Sequence, residues 1–240
     1  MSDHLAFLWR QLPNLLVGFP QQRPGGLVLS LVLAVLAVGV GFAVALPVGS
    51  GRLSPRRTVR GLALAYIELF RGLPLILLLL LVHQGLGGRR FGLDLSPRQS
   101  AFIALTLYTS AYQAEIVRAG LQAVPQPMLD SARLLGASTW QIFWRIQLRY
   151  ALRVMWPAFV GQAISLFKDT SVLVVLGVGE LMTTARAALG SDIRNAAYWV
   201  SLYLLVGLLY MVVALLASQA ARRWEQRRTS TDLVHSLANA

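Results

Sequence analysis

Few side chains in this sequence can do covalent or metal chemistry, and those few lie far apart. The histidines stand at positions 4, 83 and 235, and the chain contains no cysteine. This spacing fits neither a metal site nor a nucleophilic triad. The single lysine, Lys168, stands between Phe167 and Asp169, so the chain lacks the Gly-Lys-Ser/Thr sequence of a phosphate-binding loop. We therefore expect a chain that is not an enzyme and that itself binds no cofactor or metal.

A second group of polar residues interrupts segments that are otherwise apolar. Glu68 and Arg71 are three positions apart, and so are Glu115 and Arg118. This spacing is within ion-pair reach on a helix. Charges inside a membrane segment are costly and normally face a bundle interior or a water-filled cavity. The residues that could line such a path are Glu68, Arg71, Glu115, Arg118, Gln162, Ser165, Lys168 and Asp169. The same residues could instead brace the packing between helices, and the sequence leaves both interpretations open.

The composition indicates the medium in which these residues fold. Hydrophobic residues make up 56% of the 240 positions, charged residues make up 13%, and the mean hydropathy is +0.59. A soluble domain carries about 25% charged residues. The net charge of +12 does not indicate nucleic-acid binding, because the basic residues lie between the apolar runs, as they do in membrane loops. The composition predicts an all-α integral membrane protein.

Five stretches can be assigned to membrane helices, each of which needs about 20 apolar residues. We predict spans near 27–48, 62–82, 99–118, 154–176 and 198–217. The fourth is interrupted at Lys168–Asp169, where we expect a break in the helix. In the first span, Ala37, Gly41 and Ala45 are four apart and predict close contact with a neighbouring helix.

The segments that flank the spans predict their orientation. Thirteen arginines lie in 49–61, in 118–153 and after residue 221, whereas the opposite side holds eight basic residues, including Arg23, Arg89 and Arg90. Because cytoplasmic loops carry the excess of basic residues, the amino terminus is predicted outside and the carboxyl terminus in the cytoplasm. Residues 223–240 would then form a cytoplasmic tail.

Residues 1–26 are expected to form a separate N-terminal segment rather than a signal peptide. Apolar residues share one face if the segment is helical, as in a helix that lies in the membrane interface. These residues are Leu5, Leu8, Trp9, Leu12 and Leu15. A frayed terminus fits this segment equally well.

The segment between the third and fourth spans predicts two short helices joined by a glycine. Pro125 and Pro127 are typical of a helix start, and Gly136 is typical of a helix end. Ser138, with Gln141 three residues later, fits a capping box that begins the second helix. A helix–Gly–helix elbow on the cytoplasmic side has a shape that can dock into a groove on another protein.

This elbow resembles the EAA loop of type I ABC importer permeases. The family pattern is Glu-Ala-Ala, three residues, Gly, nine residues, Ile, one residue, Leu-Pro. The chain keeps that spacing with Asp130-Ser131-Ala132, Gly136 and Ile146-Gln147-Leu148, and Arg149 stands where Pro is usual. The resemblance implies that residues 125–149 form a coupling loop that contacts a cytoplasmic ATPase through Asp130, Ser131, Ala132 and Gly136.

Further matches over residues 27–222 resemble the histidine/glutamine/glutamate/arginine branch of these permeases. They lie at 67–75, 110–125, 166–171 and 179–181, while Gly161 departs from the Asn found in many members on the transport path. The resemblance implies a multi-pass permease subunit of a bacterial inner membrane. Its partners would be a second permease, identical or homologous, two ATPases that bind ATP and Mg, and an external solute-binding protein.

The substrate implied by this resemblance is a polar amino acid, with glutamate, aspartate and glutamine favoured. The sequence does not select one of them. An ion-gradient-driven secondary transporter or channel subunit is the alternative, but the chain is short and shows no inverted repeat. A membrane enzyme would require clustered catalytic groups, which the sequence does not contain.

Overall fold

The fold is known from a computed structural model that describes residues 2–22, 24–87 and 93–238; Arg23, Arg89 and Arg90 lie outside these ranges. Within them the chain is helical and forms no strand, which confirms the predicted all-α class. The first five helices are α1 (Ser2–Val17), α2 (Gly26–Gly51), α3 (Arg57–Gly72), α4 (Leu75–Leu80) and α5 (Pro97–Gln122). The next five are α6 (Gln126–Leu134), α7 (Thr139–Gln141), α8 (Leu148–Asp169), α9 (Leu181–Gly190) and α10 (Trp199–Ala238).

Helix α5 lies at the centre of the bundle and packs against α2, α3, α4 and α8. The contact between α2 and α5 is close because small residues line it. Ala37, Gly41 and Ala45 are all buried, and a Cβ added to Gly41 would lie 2.7 Å from Thr109 Cγ2. The predicted small-residue contact of the first span is therefore confirmed, and α5 is the helix that it meets.

The helices differ in how well they meet the requirements of a membrane span. Three helical stretches among the described residues are long and apolar enough to cross a bilayer, namely Gly26–Gly51, Thr139–Leu176 and Ile193–Gln226. Helix α5 has 26 residues, which gives it a length of about 39 Å. Its serine, threonine, glutamine and glutamate residues make it more polar than the other three. The count of five spans remains a prediction.

The segment predicted as the second span is not one straight helix. Helix α3 ends at Gly72, Leu73 is extended, and a second stretch, Leu75–Leu86, continues at an angle of 103°. This stretch comprises α4 and a π-helical turn, Leu81–Leu86. Pro74 explains the bend, because a proline disfavours helical backbone at the residue before it.

The fourth predicted span is longer than expected, and its break is of a different kind. The helix begins at Thr139, passes through a π-helical turn at Ile142–Gln147 and continues as α8. At Thr170 the α-helix tightens into a 3-10 helix, Thr170–Leu176, without an intervening gap. The expected interruption at Lys168–Asp169 is therefore wrong; these residues form the last turn of α8.

Both ends of the chain also differ from the sequence-based expectation. Helix α1 is formed and docks on α2, α9 and α10 through Phe7, Gln11 and Leu15, which are all buried. The sequence places Leu15 on one helical face with Leu5 and Trp9, but Leu15 is buried in the bundle whereas Leu5 and Trp9 are exposed. The predicted tail is not separate either, because α10 continues through it to Ala238.

Candidate functional site

Some of the polar residues that the sequence predicts to line a transport path lie around one open groove of about 500 Å³ between α3, α5 and α8. Its polar lining consists of Arg71, Tyr112, Glu115, Arg118 and Gln162. Four of these five residues belong to the set that the sequence singled out, and Tyr112 is new to it. The groove therefore joins residues from three helices that are distant in sequence.

Glu115 holds two arginines at the base of this groove. Its Oε2 lies 2.9 Å from Arg118 Nη2, and its Oε1 lies 3.7 Å from Nε of Arg52, the residue directly after α2. Arg118 also donates from Nη1 to the side-chain oxygen of Gln122 at 2.6 Å. The predicted pair of Glu115 and Arg118 is formed, and Arg52 extends it to a second helix. The charge of Glu115 is thus more than balanced by its neighbours.

The other predicted pair is not formed. Arg71 lies in the last turn of α3, and its guanidinium carbon is 5.1 Å from the centroid of the Tyr112 ring. Glu68 is exposed, and the described part of the chain holds no ion-pair partner for it. An i,i+3 ion pair contributes about 0.2–0.5 kcal/mol, whereas an exposed cation–π contact contributes about 0.5–1 kcal/mol. Contact with the Tyr112 ring on α5 is therefore at least as favourable for Arg71 as an ion pair with Glu68.

Three further residues of the predicted set lie outside the groove. Ser165 and Lys168 are exposed on α8, on the face that also carries Ala158 and Gly161. Asp169 is half-buried in the last turn of the same helix. These residues continue the groove-facing side of α8 towards its carboxyl end.

The elbow has the local structure that its sequence predicts. Helix α6 begins after Pro125 and is closed by two hydrogen bonds, from the Ala137 amide to the Ala132 carbonyl at 3.0 Å and from the Gly136 amide to the Arg133 carbonyl at 2.9 Å. Gly136 has φ +78°, the left-handed conformation of this helix-ending motif. The predicted helix end at Gly136 is confirmed.

The predicted capping box is also present. The Gln141 amide donates to Ser138 Oγ at 3.3 Å, and the Ser138 amide donates to Gln141 Oε1 at 2.9 Å. The helix that begins here is not a short separate one, because it continues through the π-helical turn into α8. The elbow is thus joined directly to a helix that lines the polar groove.

Side chains of the elbow divide into an inner and an outer set. Leu129, Ala132 and Ile142 are buried in a small core beneath the elbow. Leu134, Leu135 and Trp140 are 89%, 88% and 70% exposed and form an apolar surface around Gly136, which we call the elbow knob. Of the residues predicted to contact an ATPase, Asp130, Ser131 and Gly136 are exposed, whereas Ala132 faces inward.

Glu180, a buried acid outside the polar groove, was not predicted from the sequence as a functional residue. The Glu180 side chain is fully buried at the amino end of α9 and accepts hydrogen bonds from the Met182 and Thr183 amides at 2.9 and 2.7 Å. The Tyr210 hydroxyl of α10 donates to it at 3.1 Å, and Ser30 of α2 lies at 3.4 Å. Burial raises the pKa of Glu180, while the hydrogen bonds from Met182, Thr183 and Tyr210 act in the opposite direction. Its position directly before a helix was the available signal.

A bundle of apolar helices with an open polar groove and an apolar knob at one end is the architecture of a membrane transport subunit. The family model described as "Binding-protein-dependent transport system inner membrane component" matches residues 37–230. The chain belongs to this family.

Two curated relatives illustrate the similarity. The chain is 33% identical over 228 residues to the probable glutamine ABC transporter permease protein GlnP of Bacillus subtilis, covering 95% of this chain and 96% of the relative. It is 35% identical over 199 residues to the glutamate/aspartate import permease protein GltK of Escherichia coli, covering 80% and 87%.

Solved structures show the same fold. A chain from the crystal structure of an amino acid ABC transporter with histidines has a TM-score of 0.80 and 27% identity, with 94% of this chain and 98% of that chain covered. A chain of the inward-facing MetNI methionine ABC transporter has a TM-score of 0.67 at 20% identity, covering 93% and 98%. The expected type I ABC permease fold is therefore confirmed.

Proposed function

We propose that this chain is the permease subunit of an ATP-driven importer of polar amino acids in a bacterial inner membrane. The observation that carries the proposal is the groove of Arg71, Tyr112, Glu115, Arg118 and Gln162, which lies open on the surface of the single chain. A water-filled path is where charged groups in a membrane protein are tolerated. The names of the two curated relatives support an amino acid as the solute.

The path is proposed to follow one face of α8. Val154 and Ala158 line the groove, and the exposed Gly161, Ser165 and Lys168 continue the same helical face. Their spacing of three and four residues keeps them on one side of the helix. A second permease subunit, identical or homologous, would close this side and complete the path.

The charges of the groove favour a solute with a side-chain carboxylate or amide. Two cations, Arg71 and Arg118, line it with one anion, Glu115, which already pairs with Arg118 and lies 3.7 Å from Arg52. Among the described residues Arg71 forms no ion pair and lies over the face of Tyr112, so its donors are available for a carboxylate. The Gln162 amide can accept from and donate to a side-chain amide. Glutamate, aspartate and glutamine are the solutes that fit this lining.

Energy would come from a partner, since the chain has no phosphate-binding loop. We infer that the elbow knob, with Asp130, Ser131 and Gly136 beside it, docks into a groove of a cytoplasmic ATPase that binds ATP and Mg. The continuous helix from Thr139 into α8 supports this inference, because it would carry a movement of the knob to the polar groove. An external solute-binding protein would deliver the amino acid on the opposite side.

The test is uptake into proteoliposomes that contain the assembled transporter and its binding protein. With ATP supplied on the ATPase side, we expect uptake of glutamate, aspartate or glutamine that survives an ionophore. Arg71→Gln should lower glutamate uptake at least ten-fold, because a lost charge-assisted hydrogen bond costs about 1.5–3 kcal/mol. Arg60→Gln, on the same helix but away from the groove, is the matched control. Uptake that needs an ion gradient and no ATP would overturn the proposal in favour of a secondary transporter.

A further inference from the structure

An apolar groove lies on the side of α8 that faces away from the polar groove. It consists of two adjoining cavities, one of about 430 Å³ between α2, α8 and α10 and one of about 310 Å³ between α2 and α8, and all lining residues are apolar. Val38, Gly39, Val160 and Ala163 line both cavities, which therefore lie side by side along α8. Along α8 the lining extends from Leu152 to Phe167, which is about 22 Å at 1.5 Å per residue. This length is sufficient for an acyl chain in one leaflet, which is about 15 Å thick.

One end of this groove is marked by aromatic and basic residues. Trp156 of α8 and Trp224 of α10 lie with ring centroids 4.5 Å apart, and tryptophan is enriched at the boundary between hydrocarbon and headgroups. Arg149 and Arg153 precede Trp156 by two turns and one turn on the same helical face. Both arginines are exposed, and no carboxylate in the described ranges pairs with either. Two cations without a carboxylate partner among the described residues thus lie at one end of an acyl-sized groove.

The position of the polar groove indicates which neighbour covers this apolar side. Val154, Ala158 and Gln162 line the polar groove, whereas Trp156, Val160 and Ala163 line the apolar one. At 3.6 residues per turn these two sets lie on opposite sides of α8. A second permease subunit that closes the polar groove would leave the apolar side to the membrane lipid.

We propose that this groove is a binding site for an anionic phospholipid. One acyl chain lies between α2, α8 and α10 and passes Gly39, and the phosphate accepts hydrogen bonds from Arg149 and Arg153 beyond the tryptophan pair. The site gives Arg149 a role, although the usual residue at that position of the EAA loop is proline. Basic pockets between membrane helices on the cytoplasmic side bind such headgroups. The cytoplasmic placement rests on the orientation proposed above, while lipid binding itself depends on neither orientation nor transport.

The experiment is native mass spectrometry of the assembled transporter in detergent, titrated with phosphatidylglycerol and, separately, with phosphatidylcholine. We expect phosphatidylglycerol adducts to form at lower lipid concentration. The Arg149→Gln/Arg153→Gln double variant should weaken phosphatidylglycerol binding about twenty-five-fold, at about five-fold for each arginine. Arg56→Gln/Arg60→Gln removes the same charge from two exposed positions, one directly before α3 and one in its first turn, and should leave binding at the parent level. Inorganic phosphate should not compete, because it lacks the acyl chain.

A second variant tests the acyl part of the site without changing any charge. A Cβ added to Gly39 meets no atom within 4 Å, so Gly39→Phe can fill the groove without a clash at Cβ. We expect Gly39→Phe to abolish the preference for phosphatidylglycerol adducts while the transporter still assembles. Unchanged binding in either the arginine or the Gly39 variant overturns the proposal. An equal loss in the Arg56→Gln/Arg60→Gln control also overturns it, because binding would then reflect overall charge.

Discussion

The guanidinium carbon of Arg71 lies 5.1 Å from the centroid of the Tyr112 ring, and this contact joins the end of α3 to the middle of α5. Arg71 directly precedes Gly72, where α3 ends before the 103° bend at Pro74. The contact therefore fixes a charge at a place where the backbone changes direction. It also leaves the guanidinium donors facing the polar groove, where a solute carboxylate can reach them.

This geometry makes a prediction about Glu68 that is opposite to the one drawn from its spacing to Arg71. Glu68→Ala should change the free energy of unfolding by no more than about 0.5 kcal/mol, because it breaks no ion pair. Tyr112→Leu should cost about 0.5–1 kcal/mol through loss of the cation–π contact alone. Thermal unfolding of the purified transporter measures both. A larger loss of stability in Glu68→Ala than in Tyr112→Leu would show that Glu68, and not Tyr112, is the partner of Arg71.

The bridge at Glu115 should stabilise the contact between α2 and α5. Glu115→Ala leaves Arg52 and Arg118 close together without the carboxylate. Breaking a fully buried pair costs about 3–5 kcal/mol, and the 22% exposure of the Glu115 side chain reduces this to about 1–2 kcal/mol. A double-mutant cycle with Arg52→Ala measures the coupling. A coupling energy of zero would mean that the 3.7 Å approach contributes nothing to the helix contact.

Glu180 should be required for the position of α9. Glu180→Ala removes the acceptor of the Met182 and Thr183 amides, and we expect a loss of about 2–4 kcal/mol from the cap and the unsatisfied donors together. Glu180→Gln keeps one acceptor oxygen and should cost less. Tyr210→Phe removes one hydrogen bond and should cost about 1 kcal/mol. Melting temperatures in this order support the network, whereas an unchanged melting temperature in Glu180→Ala contradicts it.

The orientation can be tested with reporters. A reporter fused after Arg228 should be cytoplasmic, and one inserted near Leu95 should be external, because the basic residues are concentrated in the predicted cytoplasmic segments. A third reporter at the start of α1 should also be external. Readings of the first two on the same side would contradict the five-span prediction.

Local features of the fold were predictable because they depend on neighbours in sequence. The capping box at Ser138, the helix end at Gly136 and the small-residue stripe at Gly41 each follow from residue type and short spacing, and all three are present. The ion pair of Glu115 with Arg118 was predictable for the same reason. Such features need no knowledge of which helices meet.

Features that depend on tertiary contacts were not predictable in this way. The sequence placed Glu68 beside Arg71 but did not indicate that α5 brings Tyr112 to Arg71. It marked Leu15 as apolar but did not indicate whether protein or lipid would cover it, and the structure buries it against the bundle. Burial of Glu180 was hidden for a related reason, because its partners Ser30 and Tyr210 are 150 and 30 residues away.

The last prediction concerns the conformation of Gly136. A Cβ added to this residue meets no atom within 4 Å, so a side chain there has room, and only the backbone conformation resists it. At φ +78° a β-branched residue is strained by about 1–3 kcal/mol, whereas asparagine tolerates the left-handed region. Gly136→Val should therefore reshape the elbow, while Gly136→Asn should preserve it.

Gly136→Val should impair coupling to the ATPase but not the insertion of the chain into the membrane. Gly136→Val displaces Leu134, Leu135 and Trp140 relative to α8, so the elbow knob no longer fits an ATPase groove formed for the native shape. We expect normal membrane insertion and normal affinity of the binding protein for its amino acid. Co-purification of the ATPase, substrate-stimulated ATP hydrolysis and uptake should all fall at least ten-fold, and Gly136→Asn should retain most of each. If Gly136→Val couples as well as Gly136→Asn, the left-handed turn is not needed, and the elbow is not the element that transmits ATPase closure.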